Sequence, residues 1–498
     1  MNVKQILYRC FYGIFTLLFG LLTLKILLGD TIHNYKTLPL FLYMLLGIGL
    51  LAGSYMLLKK FASRLDPLYK FILPAFLLIY GIILLYFGFQ LRFTPAFDMD
   101  AIYGGAIEWV NTGSFPSYYE YFGYFPNNLG SMSFLHTFFW IASLFGITDF
   151  FAVGIVLNTL LFLATVLVSS LICRKLNNNT AGLLCLVFFL LCVPFYFISA
   201  AFYTDALSLL FPVLFYYLYL LFKEQKDWKG RIVFGILMGL VLTLGSLIKF
   251  TVIIALIAVI IDALLSIHWK EVLLMAGITI FMVAAGTSLF DSYIYQTHIT
   301  DEACQDLKTP YWHWIMMGLQ NCGYYSPDDY TYTRSYPVDE RSEACIERIQ
   351  ERIGELGISG LFELWTNKAL VCFADGTYAL SDFLDDTPAQ EVGIHKYILY
   401  GGEKYSSYQT MTTGFLLALY ALMVFGCAVS AFWKKEPTKD FTFVAPRLAV
   451  MGIFAFLLLW ETSGRYFTNY IPMMIVCAVL AISWKDFRTK PVSINRKM

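Results

Sequence analysis

The chain has 498 residues, of which 58% are hydrophobic, 18% aromatic and only 14% charged. Basic and acidic residues number 35 each, so the net charge is zero and points to no charged partner. Soluble domains are roughly half apolar and one-quarter charged, so the composition excludes an ordinary soluble protein. It predicts an all-α polytopic membrane protein that is embedded in a lipid bilayer. No nucleic-acid signature is present, and no nucleic-acid partner is expected.

Apolar runs long enough to cross roughly 30 Å of hydrocarbon recur along most of the chain. About twelve spans are predicted, near residues 10–28, 39–58, 71–91, 150–172, 180–199, 206–222, 231–248, 251–267, 271–290, 409–432, 444–460 and 467–484. The first run lacks a small-residue cleavage site and is followed by further spans. We therefore expect it to stay in the membrane rather than to be removed as a signal peptide.

Lysine and arginine concentrate in alternate connections, which predicts the side that each connection faces. The basic stretches are 59–70, 173–179, 223–231, 268–271, 434–440 and the tail 485–498. The positive-inside rule places all of them, and both termini, in the cytoplasm. Counting the apolar run 131–146 as a span would put 173–179 outside, so we predict a short juxtamembrane helix there, lying in the outer interface. The absence of a sorting signal and the short polar termini favour a bacterial plasma membrane.

This topology leaves three outward segments, at 92–130, 202–208 and 291–408. The last carries 19 acidic and 8 basic residues and is too long and polar for a simple connection. It predicts an extracytoplasmic, acidic, α-rich domain. The expected organisation is listed in chain order: a transmembrane core at 1–290 containing the first outer loop 92–149, the acidic domain at 291–408, C-terminal transmembrane helices at 409–484 and a cytoplasmic tail at 485–498.

Two features of the acidic domain can be predicted locally. Apolar residues at helical spacing over 342–357 predict an amphipathic helix that ends at Gly357, and 361–373 is expected to lie along the membrane surface with Trp365 near the headgroups. An oxidising compartment would also allow a disulfide among the four cysteines of this segment. They are Cys304, Cys322, Cys345 and Cys372.

Three outward carboxylates are candidate functional groups. Asp98 and Asp100 follow the third span within a loop rich in tyrosine, phenylalanine and tryptophan, and Asp205 stands where a later span begins. Acids at the edge of hydrocarbon are costly and tend to be functional or paired, and aromatic faces stack on sugar rings. The alternatives are solvated loop acids for the pair, an aromatic belt for the loop, and a helix N-cap for Asp205.

Two cations lie on the same side, against the positive-inside rule. Lys249 interrupts an apolar hairpin, and Arg465 follows Glu461 between the last two spans. Such cations suit a lipid-linked phosphate, while the alternative is a structural ion pair such as Arg465 with Glu461. Carboxylates able to deprotonate a hydroxyl and cations able to stabilise a leaving phosphate together indicate sugar transfer from a polyprenyl phosphate.

Several stretches of the sequence resemble those of a known protein family. The stretches "FDMDAIYGGAIEWVNTG", "YFPNNLGSMSFL", "FYTDALSLLFP", "GSLIKFTV", "FADGTY" and "ETSGRYFTNYIP", in this order and on these sides, resemble membrane glycosyltransferases of the GT-C fold. They are similar in particular to bacterial proteins related to protein O-mannosyltransferases and to lipid A aminoarabinose transferase. The resemblance covers roughly residues 90 to 475 and implies a GT-C-like fold with a non-spanning helix after the first outer loop.

The resemblance also implies roles for residues. Asp98 would be the catalytic base with Asp100 as the second candidate, Asp205 would be an acid near the reaction centre, and Arg465 would bind the donor phosphate, a role that the charge pattern alone gives to Lys249 as well. Further substrate contacts are expected at Asn127, Asn128, Tyr203, His313, Glu461 and Tyr466. The chain departs from the family in three ways: "FPNNL" replaces a proline-rich motif, the acids are spaced Asp-x-Asp, and two additional spans precede the core. Donor and acceptor identity therefore stay open.

Alternatives exist for the Asp-x-Asp motif, for His313 and for the whole chain. Asp-x-Asp can bind a divalent ion in soluble transferases, but the tripeptide is common, and no metal or other cofactor is predicted. For His313, the alternative is a packed residue of the outer domain that caps a turn. For the whole chain, the alternatives are a secondary transporter or flippase of lipid-linked sugars and a non-catalytic scaffold. Against transport, the sequence shows no inverted repeat and places its embedded charges at one face.

Overall fold

The computed structural model describes residues 3–301, 304, 306–384, 388–433 and 444–484. The described residues form helices and no strand, apart from an isolated antiparallel bridge between Phe93 and Pro388. The predicted tail 485–498 and the basic stretch 434–440 lie outside the described residues.

Twenty-two α-helices are named here in chain order. The first eleven are α1 Val3–Gly29, α2 Thr37–Lys60, α3 Ala62–Leu65, α4 Tyr69–Gln90, α5 Phe97–Thr112, α6 Tyr119–Tyr124, α7 Leu129–Leu144, α8 Phe150–Leu176, α9 Asn179–Leu191, α10 Thr204–Leu207 and α11 Leu210–Glu224. The others are α12 Trp228–Ile248, α13 Ile254–Ser266, α14 Trp269–Thr297, α15 Tyr311–Met317, α16 Pro327–Arg334, α17 Arg341–Phe373, α18 Ser381–Leu384, α19 His395–Ile398, α20 Tyr405–Ala428, α21 Val444–Leu459 and α22 Ile471–Ile482.

Within the part of the chain that the structure describes, eight helical segments are long and apolar enough to cross a membrane. They are Val3–Gly29, Thr37–Lys60, Tyr69–Gln90, Phe150–Leu176, Thr204–Glu224, Trp228–Ile248, Trp269–Thr297 and Tyr405–Phe432. Four shorter apolar segments occupy the other predicted runs: Asn179–Leu191, Phe250–Ser266, Val444–Leu459 and Thr468–Ile482. An all-helical protein with at least eight candidate spans is thus confirmed, and the number twelve stays a prediction.

The long helices form a bundle whose two ends differ. One end, called the loop-rich end, carries the connections 91–149, 192–209, 249–253, 298–404 and 460–470. The opposite end, called the basic end, carries 61–68, 177–178, 225–227 and 267–268. Glycines bring some of these helices close together: a Cβ added to Gly414 of α20 would lie 2.4 Å from Cβ of Tyr43 in α2. Close backbone approach at small residues is a typical way of packing apolar helices in lipid.

The predicted short helix at 131–146 is present as α7, which has 16 residues. At 1.5 Å per residue it is about 24 Å long, shorter than the roughly 30 Å hydrocarbon layer. Its first turn is fixed to the end of α12, where the Ser131 hydroxyl donates to the Ile248 carbonyl at 2.9 Å. The helix is confirmed, and its position in the membrane interface stays a prediction.

The acidic segment differs from the prediction in two respects. The helix predicted to end at Gly357 kinks there, where φ is +57°, and then resumes until Phe373. Glycine reaches this left-handed φ without steric cost, so the chain turns without losing its helical character on either side. The second half of the helix buries Leu364 and the run 368–373 against the bundle, and the place of Trp365 near the headgroups stays a prediction. All ten cysteines are free thiols in the structure, so no disulfide forms among the four of this segment.

Candidate functional site

Asp98 stands in the first turn of α5 at the loop-rich end. The preceding residue, Phe97, has φ +49°, a conformation that bulky residues rarely adopt, and this turn leads the chain into the helix. One carboxylate oxygen of Asp98 accepts a hydrogen bond from the Tyr121 hydroxyl at 2.8 Å, and the other accepts from Tyr203 at 3.2 Å. Two phenols therefore hold Asp98 in one orientation.

The two asparagines of "FPNNL" support this arrangement. Asn128 donates through Nδ2 to the Tyr121 oxygen at 2.6 Å, and Asn127 donates to Oδ1 of Asn128 at 3.2 Å. Their side chains thus form a hydrogen-bonded chain that leads to Asp98. The structure gives them a role in orienting Tyr121; their predicted contact with substrate stays a prediction.

Asp100 does not join this group. Residues two apart on a helix do not share a face, and Asp100 is exposed on α5. The Tyr121 and Tyr203 hydroxyls donate to Asp98 instead, and the Asp100 charge contributes to the raised pKa of Tyr118. The structure therefore separates the two aspartates that the sequence places side by side. Among the described residues, no three His, Cys, Asp or Glu side chains are arranged to hold a metal ion.

Asp205 is buried, with 4% of its surface exposed, and it joins the two outward cations. The Lys249 ammonium donates to one carboxylate oxygen, and Arg465 Nη1 lies 3.8 Å from the other. The Arg465 guanidinium also stacks 4.9 Å from the ring centroid of Tyr203, which itself bonds Asp98. These five residues form one continuous polar group, called here the Asp98–Arg465 cluster.

This geometry decides between some of the predicted alternatives. The ion-pair partner that the structure gives Arg465 is Asp205 rather than Glu461. The N-cap of α10 is Tyr203, with Asp205 in the first turn, so the N-cap alternative for Asp205 is wrong. Because both cations face its carboxylate, Asp205 is placed to fix their positions.

A cavity of about 520 Å³ lies beside the cluster. Its walls come from five stretches of the chain, within 32–33, 324–325, 371–382, 400–409 and 461–466. The lining residues are Ile32, His33, Tyr324, Tyr325, Val371, Asp375, Ala379, Asp382, Tyr400, Gln409 and the segment 461–466. Arg465 and Tyr466 belong both to the cavity wall and to the surroundings of the cluster, so a bound molecule could reach the guanidinium from the cavity. The size suits a sugar with its phosphate.

Glu461 is a nearly buried carboxyl in this wall. Burial raises its pKa to about 7, while Arg465 and a hydrogen bond from Tyr466 oppose that rise. Near neutral pH the group therefore exists in both forms, and its neutral form can donate a hydrogen bond to an anionic oxygen.

The acidic segment fixes the loop that carries Glu461. Lys368 is fully buried and donates to the carbonyls of Gly318 and Trp460, each at 2.7 Å. The Thr462 amide donates to the Gly323 carbonyl at 2.7 Å. The loop 318–323 and the loop 460–462 are thereby joined, so the position of the cavity wall depends on the acidic segment.

His313 is not part of the cluster. It is fully buried, its Nδ1 lies 2.7 Å from the Thr333 hydroxyl oxygen, and burial lowers its pKa to about 4. The neighbouring Asp329 makes a two-point ion pair with Arg352, at 2.6 and 2.9 Å. The surroundings of His313 are those of a packed residue in the acidic segment, and its predicted substrate contact gains no support from them.

Sequence reasoning missed several cavity residues. Asp375 lies in the cavity wall, where the chain packs closely on α20: a Cβ added to Gly376 would lie 2.3 Å from the Thr413 nitrogen. Asp382, which accepts from Tyr400, and His33, which pairs with Asp30, were not singled out. For His33, the sequence offers one signal, the Asp-x-x-His spacing of Asp30 and His33 in a short polar connection.

A second polar cluster lies at the basic end. The carboxylate of Asp262 in α13 is buried, accepts from the Tyr219 hydroxyl at 2.6 Å and lies 3.5 Å from the Lys223 ammonium. Lys223 also donates to the Ser266 hydroxyl at 3.2 Å. The expectation that embedded charges lie at one face is therefore wrong: Asp205 lies just before α11, and Lys223 lies near its other end. The sequence offers one signal for this cluster, since Asp262 is an acid inside the predicted span 251–267.

The arrangement at the loop-rich end has the parts that group transfer from a phosphate needs. An oriented carboxylate and two partly buried cations belong to one polar group, and Arg465 of that group forms part of a cavity wall. No curated protein and no solved structure matches the chain. A family model described as "Conserved hypothetical integral membrane protein" matches residues 1–485. The chain therefore belongs to this family of integral membrane proteins.

Proposed function

We propose that this protein is a membrane glycosyltransferase that moves a sugar from a polyprenyl phosphate to an acceptor outside the cytoplasm. The observation that carries the proposal is the Asp98–Arg465 cluster, in which Arg465 connects an oriented carboxylate, the Lys249–Asp205 ion pair and the wall of a cavity. The proposal covers any transferred sugar, and the acceptor is a glycan, a lipid or a protein.

In the proposed reaction the sugar occupies the cavity and its phosphate faces Arg465. Asp98 accepts the proton of the acceptor hydroxyl while that oxygen forms a bond to the anomeric carbon. The bond from this carbon to the phosphate oxygen breaks, and its electron pair leaves on the polyprenyl phosphate. A single displacement inverts the anomeric configuration. Arg465 and Lys249 stabilise the departing charge, and neutral Glu461 donates a hydrogen bond to it.

The test is a comparison of envelope sugars in strains carrying the wild type, a deletion and single variants at equal membrane levels. We expect the deletion to lack one sugar from an envelope polymer. Asp98→Asn and Arg465→Gln should each lower its incorporation by about 100-fold or more, since each removes a charge used in the transition state. Asp339→Asn, at an exposed position far along the acidic segment, is the matched control.

Two outcomes would contradict parts of the proposal. An unchanged envelope in the deletion strain would exclude this function in that host. Full incorporation with Asp98→Asn but loss with Asp100→Asn would move the base to Asp100.

The basic-end cluster favours a second candidate, a flippase or secondary transporter of a lipid-linked sugar. A transporter needs polar groups at both ends of its route, and the Asp262–Lys223 pair supplies them opposite the Asp98–Arg465 cluster.

Asp262→Asn separates the two candidates. A transferase should keep its rate per folded molecule, whereas a flippase should lose transport of a fluorescent polyprenyl-phosphate sugar in proteoliposomes. Movement of the intact lipid without release of its sugar would favour the flippase.

A further inference from the structure

The hairpin of α1 and α2 contributes one wall of the cavity. Ile32 and His33, in the connection between these helices, line the cavity together with Glu461 and Arg465. This hairpin precedes the part of the chain that resembles GT-C enzymes. Its contribution is therefore a feature of this chain's own structure.

Asp30 holds the imidazole of His33 in one orientation. Oδ1 of Asp30 accepts from the backbone amides of Ile32 and His33 at 2.8 and 3.0 Å, while Oδ2 lies 3.0 Å from Nδ1 of His33. The Asp30 side chain is only 2% exposed. Because an ionised carboxylate only accepts hydrogen bonds, Nδ1 carries the proton in the neutral ring. Nε2 then keeps its lone pair.

The plane of the ring is fixed as well. The imidazole stacks on Tyr35, with ring centroids 5.3 Å apart and an interplanar angle of 11°. The Tyr35 hydroxyl donates to the Ala374 carbonyl at 2.9 Å and accepts from the Thr413 hydroxyl at 3.0 Å. His33 is thus tied to the end of α17 and to α20, with 13% of its side chain exposed.

We propose that Nε2 of His33 accepts a hydrogen bond from a hydroxyl group of the sugar bound in the cavity; this rests on the proposed function. The surrounding wall is rich in carboxylate, phenol and amide oxygens, from Asp375, Asp382, Tyr400 and Gln409. Such a wall suits a ligand that brings many O–H donors, as a sugar does. Arg465 is left for the phosphate.

Two variants test the direction of this hydrogen bond. Asp30→Asn keeps Oδ1 for the two backbone amides but places an amide N–H₂ against Nδ1 of His33. The ring proton then moves to Nε2, which changes from acceptor to donor while the ring stays in place. His33→Phe keeps the stack on Tyr35 and removes both nitrogens. His268→Gln, at the exposed start of α14 near the basic end, is the control.

Kinetics with the full-length protein in nanodiscs use the polyprenyl phosphate that carries the sugar missing from the deletion strain. We expect both variants to lower kcat/KM about tenfold, mainly through KM, with no change for His268→Gln. A kcat/KM within twofold of wild type for both variants, while Arg465→Gln is inactive, would overturn the proposal and leave the transferase intact. If the deletion strain lacks no sugar, the proposed function fails first, at a separate step.

Carbethoxylation of histidines by diethyl pyrocarbonate, read by mass spectrometry, gives a second measurement. His33 should react in the empty protein, whereas the buried His313 should not. The sugar-carrying lipid should protect His33, and the bare polyprenyl phosphate should not. Equal protection by both lipids would assign the contact to phosphate or lipid and overturn the sugar contact.

Discussion

At the scale of single residues, Glu461 couples the site to pH. Its pKa is raised from an ordinary 4.5 to about 7, chiefly by burial. The folded protein therefore holds this proton more tightly than the unfolded chain does. The contribution of Glu461 to the free energy of unfolding is therefore greatest at low pH. It falls by an amount on the order of 3 kcal/mol as the pH rises from about 4.5 to 7.

Glu461→Gln tests this linkage, since glutamine stays neutral at every pH. We expect the variant to match the wild type in Tm at pH 5 and to exceed it by several degrees at pH 8. Thermal unfolding in detergent micelles measures both values. Glu355→Gln, at an exposed position on α17, should show no such difference. A variant that is less stable than the wild type at pH 8 would mean that the ionised carboxylate stabilises the fold.

The predictable part of the site consists of charges in unexpected surroundings. Lys249, Asp205 and Arg465 stood out because charged residues beside apolar runs need partners, and the structure brings all three together. Asp30 and His33 did not stand out, because a short polar connection between two spans is ordinary in composition. Their pairing and their place in the cavity wall depend on how α1 and α2 pack against α20, which the local pattern does not contain.

At the scale of elements, apolar runs predicted the helices well because a lipid-facing helix must satisfy its own backbone groups. The ends were less predictable. Glycine at 357 predicts the end of a helix, yet the chain resumes its helix because burial of 368–373 stabilises the second half. The connection from loop 318–323 to loop 460–462 through Lys368 joins distant segments, so no local pattern could indicate it.

Lys368→Met should loosen this connection. Two carbonyls lose their donor, and we expect the free energy of unfolding to fall by about 2 kcal/mol. Amide hydrogen exchange should rise in 318–323 and 460–462 and stay unchanged in α8. Lys396→Met, at an exposed lysine, is the control. Unchanged exchange in both loops would show that Thr462 and its partners suffice to hold them together.

At the scale of the whole molecule, the distribution of basic connections predicts that the loop-rich end faces out. Thr94 and Lys229 are exposed at opposite ends of the bundle. Thr94→Cys should react with a membrane-impermeant maleimide in intact cells, and Lys229→Cys should react only after permeabilisation, each compared with the unaltered chain. The reverse pattern would place the Asp98–Arg465 cluster in the cytoplasm and exclude an extracytoplasmic acceptor.

The cavity has a consequence for biosynthesis. One wall comes from His33, near the beginning of the chain, and another from 461–466, near its end. A ribosome adds about 5–20 residues per second, so roughly 20 to 90 seconds separate the synthesis of these two walls. Throughout that interval the nascent chain is already entering the membrane with an incomplete site. The protein therefore gains its site only late in insertion, and a chain that stops before residue 461 lacks one wall of the cavity.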